Sequence, residues 1–410
     1  MKTPIAKDIT SDQLKKLIED KRLVRDTRFN LPIGTTGIPL SALRTMVRST
    51  YALQQIRIQI GNRICAQWHL KLGRKPGEAL ATSEGVSAED KKLLGRLKLA
   101  YRRITEAAAE RLPTMKNFKG VELIDNYAEF VLLTQYMEIE QAEQKQMDRI
   151  KPVVEAHPVY EAFSKEIGGL GQILTAVLIT SIDIHETEYV SSMWKYCGLD
   201  VAPDGRGRGM YKEHMEEVPY LDKNGNVDWK KSLTYNPWLK TKLLGTLAVS
   251  ILMAQSERRD EKGNLTREAG KYRKIFDDYK NRLENHPKWQ DGIHPQTGEP
   301  TKEFRYKSRK LHRLNAAKRY MIKMLLQDLY AVWRKLAGLP VAPPYAEAKL
   351  GMIHGSAAKY DQVHLPGHVG YENMSVGGIP GPESAQQITD PFYDDTGDDE
   401  IVDEGDLKVA

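Results

Sequence analysis

The sequence of 410 residues is poor in cysteine and has no long apolar run. Its two cysteines, Cys65 and Cys197, cannot by themselves form a disulfide framework or a zinc site, which favours a reducing cytoplasm. The most apolar stretch, 243–254, is shorter than the about 20 residues of a membrane-spanning helix and predicts a buried helix. The N-terminus lacks the apolar segment of a signal peptide. These absences argue against a secreted, disulfide-rich or membrane protein.

Charge of one sign is concentrated at the C-terminus. From Thr389 onward there are nine acidic residues and one basic residue, Lys408, so this segment carries −8. The rest of the chain has 60 basic and 46 acidic residues and carries +14, although the whole chain carries only +6. A basic body favours a nucleic-acid partner, although ordinary soluble proteins also carry such charge. We expect the acidic segment to compete with nucleic acid for the basic body.

Apolar residues recur at the helical period over much of the chain. One long helix with a basic face is predicted from Ser41 to Leu72, with further helices over about 88–112 and 121–151. Three long helices with short breaks predict an antiparallel bundle or coiled coil, through which we expect a homo-oligomer to form. Because no segment alternates between apolar and polar residues as a strand does, the predicted fold class is all-α or mostly α.

Breaks in this pattern predict four regions. Residues 1–40 are an N-terminal extension, 41–156 a helical linker, 157–340 a binding domain, and 341–410 a disordered tail rich in Pro and Gly and then acidic. Within the binding domain, helices are predicted over 173–180, 188–197, 236–255 and 315–336. The third of these starts with Asn236 as N-cap and Pro237 as the first helical residue, and Gly338 and Pro340 close the last.

A Gly-Leu-Gly turn at 169–171 separates two short helical patterns. Glycine allows a positive φ and a close approach to phosphate, and the helix that begins at Gln172 would present its free N–H groups to the anion. This arrangement is typical of a helix–hairpin–helix turn, in which Leu170 would plug the hairpin. Such a turn contacts the nucleic-acid backbone and reads no bases. A plain corner between two helices fits the same pattern.

The string GLGQILTAVLITSIDIHETEYVSSMWKYCGLDV, from Gly169 to Val201, resembles the C-terminal domain of insertion-sequence-110-class transposases, the RNA-guided recombinases. The family's Y-x-G-L segment matches 196–199, and its Gly/Arg-rich loop matches 205–209. The similarity resumes at 235–245 and in the closing helix at 318–320. It implies a role in DNA transposition or recombination, DNA or structured RNA as partner, and a prokaryotic or phage-encoded protein of the cytoplasm, associated with the nucleoid.

Two departures from that family concern its catalytic groups. Its N-terminal RuvC-like nuclease has four carboxylates that bind divalent metal, and residues 1–40 contain no apolar strand with an early Asp. The position of the family's catalytic serine is occupied by Asp204. The resemblance therefore implies a binding protein that lacks its own nuclease, with a separate nuclease partner. One alternative is an active transposase with Ser232 as a displaced nucleophile, and another is a helical adaptor for protein partners.

Basic residues accumulate before and within the last predicted helix. Nine lie in the 22 residues from Lys302 to Lys323, with three aromatic residues among them and Glu303 as the single acid. Their neutralisation of phosphates would release counterions and stabilise a complex with a polyanion. The predicted nucleic-acid-binding residues are Gly169, Leu170, Gly171, Gln172, Arg206, Arg208, Lys240, Lys242, Arg305, Lys307, Arg309, Lys310, Arg313, Lys318 and Arg319.

No metal site, cofactor or catalytic residue is predicted. Asp183, His185, Glu186 and Glu188 combine carboxylates with an imidazole, as metal ligands do. They precede a predicted helix, however, where acidic residues interact favourably with the positive end of the helix dipole. We therefore favour a structural role for these four residues.

Overall fold

The computed structural model describes residues 7–73, 88–107, 112–202, 207–294, 298–302 and 307–342. Within them the chain is mostly helical, which confirms the predicted fold class. None of the described helices has both the length and the apolar character needed to cross a membrane. Nearly all of the predicted tail lies outside the described residues, as do Asp204, Arg206 and Arg305.

The predicted helices are present in the predicted order, together with others, of which the longest that were not predicted are Ser11–Phe29 and Lys271–Glu284. The described helices are α1 (Ser11–Phe29), α2 (Leu40–Lys71), α3 (Ala88–Ala107), α4 (Tyr127–Glu155), α5 (Pro158–Ala162), α6 (Gln172–Ser181), α7 (Val190–Tyr196), α8 (Pro237–Thr241), α9 (Ala248–Ala254), α10 (Lys271–Glu284) and α11 (Lys310–Leu336). A π-helical segment, Lys242–Leu247, joins α8 to α9. Helix α4 begins later than predicted because Val121 and Ile124 pair their backbones in a turn.

Two β-hairpins, which the sequence analysis missed, interrupt the helices. Strand β1 (Glu216–Leu221) pairs antiparallel with β2 (Val227–Ser232), and β3 (Arg258–Arg259) pairs antiparallel with β4 (Leu265–Arg267). Most side chains of these strands are exposed, so no apolar face repeats every second residue. The usual signal for a half-buried strand is therefore absent.

The two hairpin turns share one chemistry. Each has an Asp followed by Gly-Asn, at Asp222–Asn226 and Asp260–Asn264, and the glycines adopt φ of +83° and +84°. In each turn a carboxylate oxygen of the Asp accepts the backbone N–H of the Asn, at 2.7 Å and 2.8 Å respectively. Asp-x-x-Gly-Asn is thus the local signal that could have predicted both hairpins.

Buried apolar side chains form two main cores. The larger core packs α6, α9 and α11 against one end of the α2–α4 pair and includes Leu43 and Ile150. The smaller core packs α3 against the other end of that pair and includes Ile64 and Trp68. The larger core contains residues from both sides of the predicted boundary at 156/157. The division between the two cores therefore lies part-way along α2 and α4 and not at that boundary.

A polar layer joins α2 to α4 between the two cores. Arg57 donates from Nε to Oε2 of Glu143 at 2.5 Å, and Glu143 is only 4 % exposed. Burial lowers the pKa of Arg57, but hydrogen bonds to Glu143 and Tyr136 raise it more, so the guanidinium stays ionised. Ile56, the residue before Arg57 on α2, is exposed.

Helix α5 begins at a half-buried imidazole. Nδ1 of His157 accepts the backbone N–H of Val159 at 3.2 Å, and the ring meets Trp333 edge-on. Burial lowers the pKa of His157 from 6.5 to about 4. The imidazole is therefore neutral at pH 7 and free to accept the capping hydrogen bond.

We expect the free energy of unfolding to fall as the pH falls from about 6.5 to about 4. In this window the unfolded chain binds a proton at His157 that the folded chain does not, so acid favours unfolding. The contribution is at most about 3 kcal/mol. Urea denaturation at several pH values would measure it in the wild type and in His157→Asn, which keeps a capping oxygen but does not titrate. Identical pH profiles of the two proteins would contradict this assignment.

Candidate nucleic-acid interface

The Gly-Leu-Gly turn before α6 packs against α9. Gly169 has φ of +93°, and a Cβ there would lie 2.6 Å from both the Cα of Ile251 and the carbonyl oxygen of Ser250. The Ser250 hydroxyl donates to the carbonyl oxygen of Gly169 at 2.8 Å. Leu170 is buried, as expected for the plug of a hairpin. The close backbone approach that requires glycine is therefore made to α9, within the molecule.

The N-terminus of α6 lies beside a carboxylate. Gly171 has an ordinary φ of −75°, and a Cβ there would meet nothing within 4 Å. Gln172 donates from Nε2 to Oε1 of Glu155 at 2.8 Å. A carboxylate thus occupies the neighbourhood in which a phosphate was expected, and this geometry does not favour phosphate binding at the turn.

Three arginines that were expected to contact nucleic acid are buried. Nε of Arg208 lies 2.8–2.9 Å from the carboxylate oxygens of Asp200. Arg309 is 0 % exposed and donates to the carbonyl oxygen of Lys288 at 2.9 Å. Arg319 is also buried, on the core side of α11. These side chains stabilise loops and packing, and their burial corrects the expectation that they face a polyanion.

The other predicted residues are dispersed. Arg313 donates to the carbonyl oxygen of Trp289 at 2.7 Å and to Asp291 at 3.0 Å. Lys240 donates to the carbonyl oxygen of Arg208 at 2.7 Å. Lys307 and Lys310 are exposed, and Lys318 is half-buried. In the part of the chain that the structure describes, the basic segment 302–323 is therefore not one open basic surface.

A cation–aromatic cluster lies where α2 meets α8. We define it as Arg44, Arg48, Tyr51, Trp238 and Lys242. Arg44 and Arg48 lie one turn apart on α2, and Tyr51 lies on the same side of the helix one turn further on. Of the five, only Lys242 was among the predicted binding residues, and it is buried, which corrects the expectation that it faces a polyanion. The other four were not predicted because the approach of α2 to α8 is a tertiary contact.

Local capping fixes α8 in this position. The Asn236 side chain accepts the N–H of Leu239 at 3.1 Å, and Pro237 occupies the first turn, as predicted. Nδ2 of Asn236 donates to the Tyr196 hydroxyl at 3.1 Å, and that hydroxyl donates to the carbonyl oxygen of Ser181 at 2.9 Å. The helix start is thus tied to α6 and α7, which orients the Trp238 side chain.

Rings and cations alternate within the cation–aromatic cluster. Cζ of Arg48 lies 3.5 Å from the centroid of the Trp238 ring. Tyr51 meets that ring edge-on at 5.6 Å, and Nζ of Lys242 lies 4.3 Å from the Tyr51 centroid. All these separations fall within the range of attractive cation–π and aromatic contacts. Lys242 also begins the π-helical segment, and π-turns are frequent at functional sites.

The two arginines of the cluster have no carboxylate partner within the described ranges. Among the described residues, the side chains of Arg44 and Arg48 make no hydrogen bond or ion pair. Burial lowers the pKa of Arg48, the charge of Arg44 lowers it further, and Tyr196 opposes both effects. Burial raises the pKa of Tyr51 to about 12, so its phenol is neutral. Because guanidinium groups stay protonated, a bound anion would stabilise these like charges.

The remaining candidates have structural surroundings. Carboxylate oxygens of Asp183 and Glu186 lie 3.3 Å and 2.9 Å from Nη2 of Arg28. Across the described ranges, no group of three or more His, Cys, Asp or Glu side chains is placed to hold a metal ion. Ser232 ends β2 opposite Glu216, and its side chain has no hydrogen-bonded base among the described residues.

Comparisons with known proteins find no family model, no curated protein and no solved structure that matches this chain. The resemblance to insertion-sequence-110-class transposases therefore stays a prediction from the residues quoted for it.

Proposed function

We propose that this chain binds nucleic acid through the phosphate backbone and does not cut it. The observation that supports this proposal best is the stacking of Arg48 on Trp238, with no carboxylate partner for Arg48 among the described residues. Stacking covers a face of the guanidinium and leaves its in-plane N–H donors available for two parallel hydrogen bonds to a phosphate. Arg44 adds a second charge, and the +14 body adds long-range attraction.

Contacts of this kind position a polymer without reading its bases. At a fixed salt concentration we therefore propose that duplexes of unrelated sequence bind with similar affinity. Affinity should decrease linearly with salt on logarithmic axes, because each phosphate that is neutralised releases counterions.

In keeping with the sequence resemblance, we further propose that the chain belongs to a mobile element. It would hold DNA or structured RNA while another protein supplies strand cleavage. The resemblance at 169–201 and the Asp204 at the serine position support this proposal. A structured non-coding RNA and element ends beside the gene would favour it, and their absence would favour a repurposed binding protein.

Replacing Arg48 by alanine is expected to weaken binding of a duplex of about 20 base pairs by about 10-fold or more, because a charge-assisted hydrogen bond is lost. Arg48→Lys should recover only part of the affinity, since lysine cannot make the bidentate contact. Fluorescence anisotropy across a salt series measures both effects.

The matched control is Lys15→Ala on α1, which removes one exposed positive charge. Wild-type affinity in Arg48→Ala would contradict the role of the cation–aromatic cluster. A wild-type protein that binds no duplex at low salt would contradict nucleic-acid binding altogether.

A protein adaptor is the second candidate function. Helix α1 exposes three large apolar side chains, Ile18, Leu23 and Val24, and Leu23 is 68 % exposed. A protein partner that packed on α1 would remove these side chains from water, which favours association. Self-association through the N-terminal helices stays a prediction that sedimentation velocity can test. Self-association together with no duplex binding at low salt would favour the adaptor.

A further inference from the structure

Helix α3 has a basic face, none of whose residues is among the predicted nucleic-acid-binding residues. Its apolar side chains are buried in the smaller core, against α2 and α4. The opposite face exposes five basic side chains, which we call the α3 face: Lys91, Lys92, Arg96, Arg102 and Arg103. From residue 91 to residue 105 the helix contains no acidic residue.

Within the part of the chain that the structure describes, the charges of the α3 face are not paired with carboxylates. None of its five side chains makes a hydrogen bond or ion pair with a described residue. Lys98, which lies outside this face, binds Glu140 on α4. Like charges at a spacing of four residues, as at Lys92 and Arg96, destabilise a helix by a few tenths of a kcal/mol per pair. A bound polyanion would remove this repulsion.

The spacing on α3 suits an extended polymer. Lys92, Arg96 and Arg103 follow at intervals of four and seven residues and so form one stripe, about 17 Å long at about 1.5 Å per residue. That length corresponds to about five base-pair steps of duplex at about 3.4 Å each. Gly95 lies on the exposed side with open space around it, so a phosphate can approach the helix closely there.

The chemistry of the α3 face favours a duplex over a membrane or a single strand. An amphipathic helix binds a membrane through its apolar face, but that face of α3 is already buried, and Leu99 is an isolated exposed apolar side chain. A single strand needs aromatic rings on which bases stack. The aromatic residue of α3, Tyr101, is buried and stacked on Phe130.

We propose that the α3 face is a second contact surface for the phosphate backbone of duplex nucleic acid. This inference rests on the proposed function, because the same duplex would also contact the cation–aromatic cluster. The Asp90 carbonyl at the start of α3 lies 3.8 Å from Sγ of Cys65. Cys65 is about 25 Å along α2 from Arg48, at about 1.5 Å per residue. At this separation, the changes in binding free energy caused by substitutions in the two surfaces should be additive.

The test compares two triple variants of the full chain that lose the same charge. One is Lys92→Gln, Arg96→Gln and Arg103→Gln on the α3 face. The matched control is Lys15→Gln, Lys16→Gln and Lys21→Gln on α1, where acidic residues lie between the exposed basic ones. Both variants should keep the wild-type thermal midpoint, because the side chains are exposed and glutamine is a good helix former.

Anisotropy with a duplex of about 20 base pairs should show a loss of about 10-fold or more for the α3 variant and less than about 2-fold for the control. The slope of log K against log salt should fall in magnitude by about 2–3 for the α3 variant. When Arg48→Ala is added to the α3 variant, the fold-loss of affinity should equal the product of the fold-losses of the two separate variants.

The possible outcomes separate this inference from the proposed function. An α3 variant equal to the control, with Arg48→Ala still weakened, overturns the inference alone. A wild type without salt-dependent duplex binding overturns both. If the α3 charges are needed for binding to vesicles of phosphatidylserine and phosphatidylcholine but not to duplex, the surface is a membrane contact and the inference fails. It also fails if the α3 variant loses affinity for a single strand only.

Discussion

Replacing Gly169 by alanine is expected to lower the free energy of unfolding by about 3 kcal/mol or more. The residue adopts φ of +93°, which costs an L-amino acid about 1 kcal/mol or more. Its new Cβ would also lie 2.6 Å from backbone atoms of α9, at Ser250 and Ile251. Backbone cannot rotate away as a side chain can, so the turn and α9 must separate. Urea denaturation followed by circular dichroism measures the loss.

The same turn contains its own control. Gly171→Ala should change the free energy of unfolding by no more than about 0.5 kcal/mol, because the site has an ordinary φ and open space. Equal losses in the two variants would contradict this account of the turn. Duplex affinity should also stay unchanged in Gly171→Ala. A stable Gly171→Ala protein with weakened binding would instead support a phosphate site at the turn.

Replacing Glu143 by alanine is expected to lower the free energy of unfolding by about 3 kcal/mol. The carboxylate is buried, and its loss leaves the Arg57 guanidinium in the polar layer without its main partner. Arg57 retains some solvent access, with 22 % of its side chain exposed, which keeps the loss at the low end of the range for broken buried pairs. Thermal and urea denaturation measure the change.

A double variant separates the ion pair from the packing. Arg57→Met with Glu143→Leu removes both charges and should differ from the wild type by less than about 1 kcal/mol. The single variants Arg57→Met and Glu143→Leu complete a double-mutant cycle, whose coupling energy measures the interaction between the two charged side chains. A destabilised double variant together with a near-wild-type Glu143→Ala would contradict the role assigned to this layer.

Most of the helices were predictable because their signals are local, although α1 and α10 were missed. Helix α2 was predicted over 41–72 and spans Leu40–Lys71, since its buried residues repeat along one face. The start of α8 was correct to the residue, because the Asn236 cap and Pro237 act within a single turn. The hairpins were missed because exposed strands lack an apolar alternation, although their Asp-x-x-Gly-Asn turns were present in the sequence.

The candidate site was predictable only in part. The abundance of basic residues was evident from composition, but their exposure was not. Arg208 and Arg309 belong to basic segments, yet Asp200 and the Lys288 carbonyl hold them inside the fold. Conversely, the basic residues of α3 did not stand out, because apolar residues alternate with them and acidic residues flank them at 89–90 and 106.

Composition, helical period and capping residues were enough to establish a mostly helical chain with a basic body, because these properties depend on neighbouring residues. Tertiary structure decided which charges reach solvent and which are neutralised, because burial and pairing join residues far apart in sequence. Arg48 meets Trp238 across 190 positions only because α2 packs beside α8. The close approach at Gly169, expected for an external phosphate, is made to α9 for the same reason.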